Sequence, residues 1–131
     1  MAKNKQSLGE LELEVLKLVS QLQPCTVSPI TELMSKRRGH ARTTILTVMQ
    51  RLENKKFVTR RKKDGVFHYR TTKNMGTVLA GLTRQFIDTM LDGSPLPFVA
   101  YLAESKELTK KQVETLQAIV KELDKEAENE E

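Results

Sequence analysis

Apolar residues recur every three or four positions through the first part of the chain, which predicts amphipathic helices. A first helix covers 8–22 and is ended by Pro24. A second begins with Ser28 as its N-cap and ends with three cations before Gly39, a residue suited to a left-handed helix end. A third helix covers 41–55. Its apolar side consists of Ile45, Val48, Met49 and Leu52.

After the third helix the pattern changes to strict alternation, which predicts two strands. They flank Asp64 and Gly65, a pair that suits a tight hairpin turn because both residues tolerate positive φ angles. Phe67 and Tyr69 share one face of the second strand and are predicted to pin the hairpin to the helices. Three helices followed by a basic hairpin predict a winged helix-turn-helix over residues 1–73.

Helical spacing returns in the second part of the chain, so the fold class is mainly α with a small β-hairpin. One helix ends at Gly93, a short one lies around 98–102, and the last has Thr109 as N-cap with Gln112 at the capping-box position. Fewer than about 60 residues bury three apolar stripes poorly. Residues 74–131 are therefore predicted to form a helical dimerisation domain, with a frayed acidic C-terminal tail; packing back onto the winged helix is the alternative. The dimerisation candidates are Leu79, Leu82, Phe86, Met90, Phe98, Leu102, Leu116, Val120 and Leu123.

Cations are concentrated between positions 35 and 73, where thirteen Lys or Arg stand against two acidic residues. Residues 1–73 carry a net charge of +10 and residues 74–131 a net charge of −5, which together give the +5 of the whole chain. A field this concentrated attracts a polyanion and releases its counterions on contact. A merely solvated surface is the alternative, but the cations coincide with a helix start and a hairpin. Double-stranded DNA is therefore the predicted partner.

Short polar side chains near the start of the third helix suit entry into a DNA groove better than display to solvent. Arginine can pair with guanine through two hydrogen bonds, and threonine can bond several bases and pack its methyl group on thymine. Helix capping is the alternative role for Thr43 and Thr44. Arg51 is left out of the site because it can equally form an ion pair with an acid of the first helix. The base-contact candidates are Arg42, Thr43, Thr44 and Thr47, and the phosphate-contact candidates are Arg37, Arg38, Arg60, Arg61, Lys62 and Lys63.

The sequence lacks the patterns of an enzyme. It has no Gly-rich phosphate loop and no Ser or Cys nucleophile with an evident base. Cys25, His40 and His68 are too few for a metal site, so no metal, cofactor or small-molecule substrate is predicted. A buried structural role is favoured for Cys25 over a thiol sensor. No segment approaches 18 consecutive apolar residues, so we expect no membrane span. A lone cysteine cannot form an intrachain disulfide and fits a reducing setting, so we expect a cytoplasmic location.

Three stretches of the chain resemble one family of regulators. They read LGELELEVL at 8–16, TTILTVMQRLENK at 43–55 and DGVFHYR at 64–70, and they are similar to the penicillinase-repressor family of the BlaI/MecI/CopY type. The resemblance implies a winged helix, a helical dimerisation domain and a bacterial repressor whose homodimer occupies a palindromic operator. We therefore predict a sequence-specific transcriptional repressor that acts by occlusion. The alternatives are a winged-helix protein–protein interaction module and a regulator that senses a ligand directly.

The chain departs from this family pattern at several positions. Arg42 stands where the family often has an aromatic residue, and Lys56 stands where a glycine usually ends the third helix. The single cysteine excludes copper sensing through the four-cysteine cluster of the copper-responsive branch. The stretch Val99-Ala100-Tyr101-Leu102 lacks the Asn–Phe pair associated with proteolytic release. The operator sequence and the inducing signal therefore do not follow from the resemblance.

Overall fold

The structure is a computed structural model that describes residues 8–130. Three helices, a two-stranded antiparallel hairpin and three further helices follow one another, which confirms the mainly α fold class with a small β-hairpin. The chain forms two compact units, which meet in sequence between Phe86 and Ile87. The elements are α1 Glu10–Leu22, α2 Val27–Arg38, α3 Arg42–Asn54, β1 Val58–Lys63, β2 Val66–Thr71, α4 Met75–Met90, α5 Leu96–Glu104 and α6 Lys110–Glu130.

The core of the first unit lies where α1, α2 and α3 pack together against the hairpin. Every buried apolar side chain among the described residues lies between Val15 and Val78. The predicted apolar side of α3 is entirely buried, which fixes the opposite side of this helix outward. The core is almost wholly aliphatic, with Phe57 and Tyr69 as its aromatic members.

The ends of α2 agree only in part with the sequence prediction. Ser28 is not the N-cap, because the helix begins at Val27 and Thr26 holds that position. Ser28 therefore lies in the first turn. At the other end Gly39 takes the left-handed conformation, with φ of 69°, and its N–H donates to the Ser35 carbonyl at 2.8 Å. This end is as predicted.

The hairpin is the wing of the fold, and it comprises β1 and β2 with Asp64 and Gly65 at its turn. Both turn residues have positive φ angles, of 53° and 79°, which confirms the predicted turn. Tyr69 is buried, but Phe67 is 36% exposed, so the prediction that Phe67 pins the wing to the helices is wrong. Phe67 lies two residues nearer the tip, beyond the helices, and is covered by a wing cation instead.

The connection between α1 and α2 fastens the base of the wing. The backbone of Cys25 pairs with that of Tyr69, with N–H to carbonyl distances of 3.2 and 2.7 Å. The Gln23 side-chain oxygen accepts from the Thr71 N–H at 2.8 Å and from its hydroxyl at 3.1 Å. Cys25 is buried, and burial raises the pKa of its thiol.

The second unit contains α5, α6 and the end of α4. The Thr109 hydroxyl accepts from the Gln112 N–H at 3.1 Å and the Gln112 side chain accepts from the Thr109 N–H at 2.9 Å, so the predicted capping box is confirmed. The chain from 126 to 130 continues α6. Glu, Lys and Ala favour helix and no Gly or Pro intervenes. No side chain described in this unit is buried.

Candidate nucleic-acid interface

The polar face of α3, made of Arg42, Thr43, Thr44 and Thr47, is exposed along the first half of the helix. Ala41 is the N-cap, without a side-chain cap bond, so neither Thr43 nor Thr44 caps the helix. The Thr47 hydroxyl donates to the Thr43 carbonyl at 3.0 Å, which satisfies its proton and leaves its oxygen able to accept. The alternative capping role therefore does not occupy these hydroxyls.

Arg42 is the first residue of α3, and its guanidinium reaches back toward α2. One terminal nitrogen lies 3.5 Å from the Ser28 hydroxyl, a long contact that uses one of five donors. The side chain can therefore swing outward with little loss. Its place at the N-terminal end of α3 is where helix-turn-helix proteins contact base edges.

A partly buried ion pair anchors the C-terminal end of α3 to α1. The Lys55 ammonium donates to both carboxylate oxygens of Glu12, at 2.8 and 3.0 Å, and the Gly9 N–H donates to the same carboxylate at 2.7 Å. Burial alone raises the pKa of Glu12. The hydrogen bonds from Gly9 and Lys55 and the charges of Lys55 and Arg51 outweigh this, so the pKa lies below its ordinary value of 4.5.

Arg51 therefore contributes charge, while Lys55, one turn later, makes the ion pair with α1 that the sequence analysis considered for Arg51. The two partners lie 43 residues apart in the chain. No local pattern identifies such a pair.

Two of the phosphate-contact candidates already have acidic partners. Arg38 lies 3.1 Å from Glu14 of α1, which ties the end of α2 to the first helix. Arg60 lies 3.1 Å from Glu53 of α3, and its guanidinium is 3.9 Å from the centre of the Phe67 ring. Arg60 thus contacts α3 and both strands of the wing at one point.

The remaining phosphate-contact candidates are exposed. Arg37 is the last residue but one of α2, and Lys62 lies over the outer part of the wing with its ammonium 5.5 Å from the Phe67 ring centre. Arg61 pairs with His68 across the hairpin, and Lys63 pairs with Val66 beside the turn. A groove of about 710 Å³ follows the wing and is lined by Pro24, Thr59, Arg60, Arg61, Lys62, Lys63, His68 and Arg70.

Sequence reasoning passed over Leu46, which lies on the outer side of α3. Its side chain is 41% exposed, whereas the other apolar residues of α3 are buried. The available signal was its spacing: three residues after Thr43 and four before Gln50, it shares a helix face with both. Arg70, in the groove along the wing, was also left out of the candidates.

The dimerisation candidates differ in exposure. Leu82, which packs partly against the core of the first unit, is half-buried, as are Leu102 and Leu116. The others are exposed, and Met90 reaches 69%. Leu102 and Leu116 line an apolar groove of about 540 Å³ within the second unit. The exposed candidates are Leu79, Phe86, Met90, Phe98, Val120 and Leu123.

Between residues 8 and 130 no group of three or more His, Cys, Asp or Glu is placed to hold a metal ion. Over the same stretch, none of the helices is both long enough and apolar enough to cross a membrane.

Known proteins resemble this chain in sequence and in fold. Transcriptional regulator BlaI of Mycobacterium tuberculosis is 38% identical over 76 residues, which cover 57% of this chain and 55% of BlaI. The chain thus spans about half the length of that relative. Methicillin resistance regulatory protein MecI of Mammaliicoccus sciuri is 23% identical over 113 residues, covering 86% of this chain and 92% of MecI.

A solved structure of the transcriptional regulator SlyA superposes with a TM-score of 0.50 and 17% identity, covering 99% of this chain and 83% of that one. At this identity the likeness concerns the fold alone. The sequence model of the penicillinase repressors matches residues 8–122, nearly the whole described chain. This chain therefore belongs to the penicillinase repressor family, a family of transcriptional regulators and not of enzymes.

Proposed function

We propose that this protein is a sequence-specific DNA-binding transcriptional repressor that works in the bacterial cytoplasm. The observation that carries the proposal is the polar face of α3. It is exposed, its opposite side is wholly buried, and its hydroxyls are not used as helix caps. The similarity to transcriptional regulator BlaI and to methicillin resistance regulatory protein MecI supports the same function.

In this proposal α3 enters the major groove with its N-terminal end toward the bases. Arg42 would pair with a guanine through two hydrogen bonds, because it is the first residue of the helix and its one internal contact is long. Thr43, Thr44 and Thr47 would bond base edges or pack their methyl groups on thymine.

Phosphate contacts would position the protein and supply much of the affinity. Arg37, Arg61, Lys62 and Lys63 serve this role best, because each is exposed. Arg38 and Arg60 would contribute less, since each already holds a carboxylate at 3.1 Å. A guanidinium has five donors, so both can still offer a second hydrogen bond to the backbone.

The repressor would act as a homodimer on a palindromic operator, with residues 1–73 binding DNA and residues 74–131 holding the two copies together. The support is the apolar surface of the second unit, where Met90, Leu96 and Leu123 are all more than half exposed. Surfaces of this kind mark interaction sites. A second copy also supplies a second α3, and two half-sites give the specificity that one helix lacks. Bound across a promoter element, the dimer would block polymerase by occlusion.

Selection of bound duplexes from a random DNA library tests this proposal directly. Purified full-length protein at physiological salt should enrich a palindrome with half-sites about one helical turn apart. Enrichment of a single half-site would contradict the dimeric mode of binding. Binding without any enrichment would contradict sequence-specific repression and leave only electrostatic attraction to DNA.

The dependence of affinity on salt tests the role of the wing. Lys62→Ala with Lys63→Ala should weaken binding to all sequences alike and flatten the slope of log K against log salt by about two units. Lys110→Ala with Lys111→Ala removes the same charge from the start of α6 and should leave the slope unchanged. An equal change of the salt slope in both double variants would show that the wing does not contact the DNA backbone.

A further inference from the structure

Leu46 is an apolar side chain set within the polar face of α3. It is 41% exposed and is not among the partly buried residues that pack against the core. A single exposed leucine is ordinary on a protein surface and by itself needs no explanation. The position of Leu46 does need an explanation, because Thr43 and Gln50 share its helix face at spacings of three and four.

The other apolar residues of α3 are all buried in the core. Ile45, Val48, Met49 and Leu52 are turned toward the core, which fixes the rotation of the helix. At about 100° per residue, Leu46 then falls on the outer side, between Arg42 and Gln50. Rotation of α3 to bury Leu46 would expose residues that are now wholly enclosed.

We propose that Leu46 is a specificity-determining residue that reads the 5-methyl group of a thymine in the major groove. The inference rests on the proposed function, because it requires α3 to lie in that groove. The methyl group is the only apolar feature that base edges present there, and an aliphatic side chain is its natural partner. Contact between the two would cover Leu46 and remove apolar surface from water.

The test replaces thymines of the selected duplex by uracils, one at a time. This exchange removes the methyl group and leaves base pairing unchanged. Wild-type protein should lose about fourfold in affinity at one particular thymine, the effect of one buried methyl group. Leu46→Ala should bind the thymine and uracil forms of that duplex alike, whereas Leu46→Met, which keeps an apolar side chain of similar volume, should retain the difference.

Leu22→Ala is the matched control, because Leu22 ends α1 and is 40% exposed. It should bind with wild-type discrimination between thymine and uracil. The inference is overturned if no thymine of the selected duplex responds to the exchange, or if the response persists in Leu46→Ala. Failure of the library to yield any enriched duplex would overturn the proposed function, and this inference with it.

Discussion

Both units of the molecule contain amphipathic helices, but only the first unit buries their apolar faces. The helices of the first unit enclose one another and the base of the wing, so its apolar stripes become a core with Leu16 and Ile30 wholly inaccessible to water. The second unit has stripes of the same kind, yet none of its described side chains is buried. An apolar stripe therefore predicts that a helix needs a partner, and the number of helices available decides whether the same chain can provide it.

The sharpest test of this contrast introduces charge on the apolar stripe of α6. If a second copy covers Val120 and Leu123, Val120→Glu with Leu123→Glu should weaken dimerisation by about 3 kcal/mol or more, because each apolar side chain contributes about 1.5–3 kcal/mol when buried. Sedimentation equilibrium measures the change. Ala118→Glu with Asn129→Glu adds the same two charges at exposed positions on the opposite side of α6 and should leave the dimer intact. An unchanged dimer in the Val120→Glu, Leu123→Glu variant would show that a second copy does not cover the apolar stripe of α6.

A core deletion in the first unit should behave differently. Leu16→Ala removes a wholly buried side chain and should cost about 3 kcal/mol of unfolding free energy. Because the first unit encloses its own core, the cost should be the same at high and low protein concentration and in the α6 double variant. Urea unfolding measures it, with Leu22→Ala as the half-exposed control. A cost that vanishes in the monomeric variant would mean that the first unit also depends on a partner.

Removal of the buried charge that joins α1 to α3 should have a smaller effect, and one that depends on pH. Glu12→Gln should cost about 1–2 kcal/mol near neutral pH. The pKa of Glu12 is lowered on folding, so its contribution is complete above the ordinary value of 4.5 and is lost as pH falls through the lowered value. The difference between wild type and Glu12→Gln should therefore narrow in acid.

Chemical denaturation between neutral and acidic pH measures the difference in unfolding free energy between wild type and Glu12→Gln. Glu14→Gln breaks the more exposed pair with Arg38 and should cost less than about 1 kcal/mol. A constant difference between wild type and Glu12→Gln across the pH range would show that the carboxylate contributes nothing through its charge.

The smallest expected effect is a gain in stability between α3 and β1. Lys56 has a φ angle of 68°, a conformation that strains any residue with a Cβ, and its carbonyl is held by the Thr72 hydroxyl at 2.7 Å. Lys56→Gly should stabilise the first unit by about 0.5–1 kcal/mol. Lys56→Ala loses the same charge but keeps the Cβ, so thermal unfolding should show no gain. Equal midpoints for both variants would exclude backbone strain as the cause.

Local features of this chain could be predicted because neighbouring residues determine them. The turn at Asp64 and Gly65, the left-handed end of α2 at Gly39 and the capping box from Thr109 to Gln112 all involve contacts within a few residues. The N-cap of α2 was wrong by two positions, because Thr26 and Ser28 have equivalent side chains and the start of the helix depends on burial of Val27.

In the candidate interface, too, some features follow from the local sequence and others depend on tertiary contacts. The outward direction of Thr43 and Thr47 follows from helical spacing, because the apolar residues of α3 allow only one orientation. The pairing of Arg60 with Glu53 and the exposure of Phe67 do not follow from spacing, since they depend on where the wing lies against α3. The outward direction of Leu46 also follows from helical spacing, because it shares a face with Thr43 and Gln50, and the structure shows it exposed.

Three properties of the protein can be read from its sequence alone: the order of helices and hairpin, the separation of basic and acidic halves, and the family to which the chain belongs. Periodicity, turn chemistry and charge depend on residue types and their spacing in the sequence, so they do not require knowledge of the folded structure. The packing of the helices determines which cations form ion pairs with acids, which hydroxyls remain available and which apolar side chains stay exposed. These properties depend on contacts between residues far apart in the chain, such as Glu12 with Lys55, and such contacts exist only once the helices have packed.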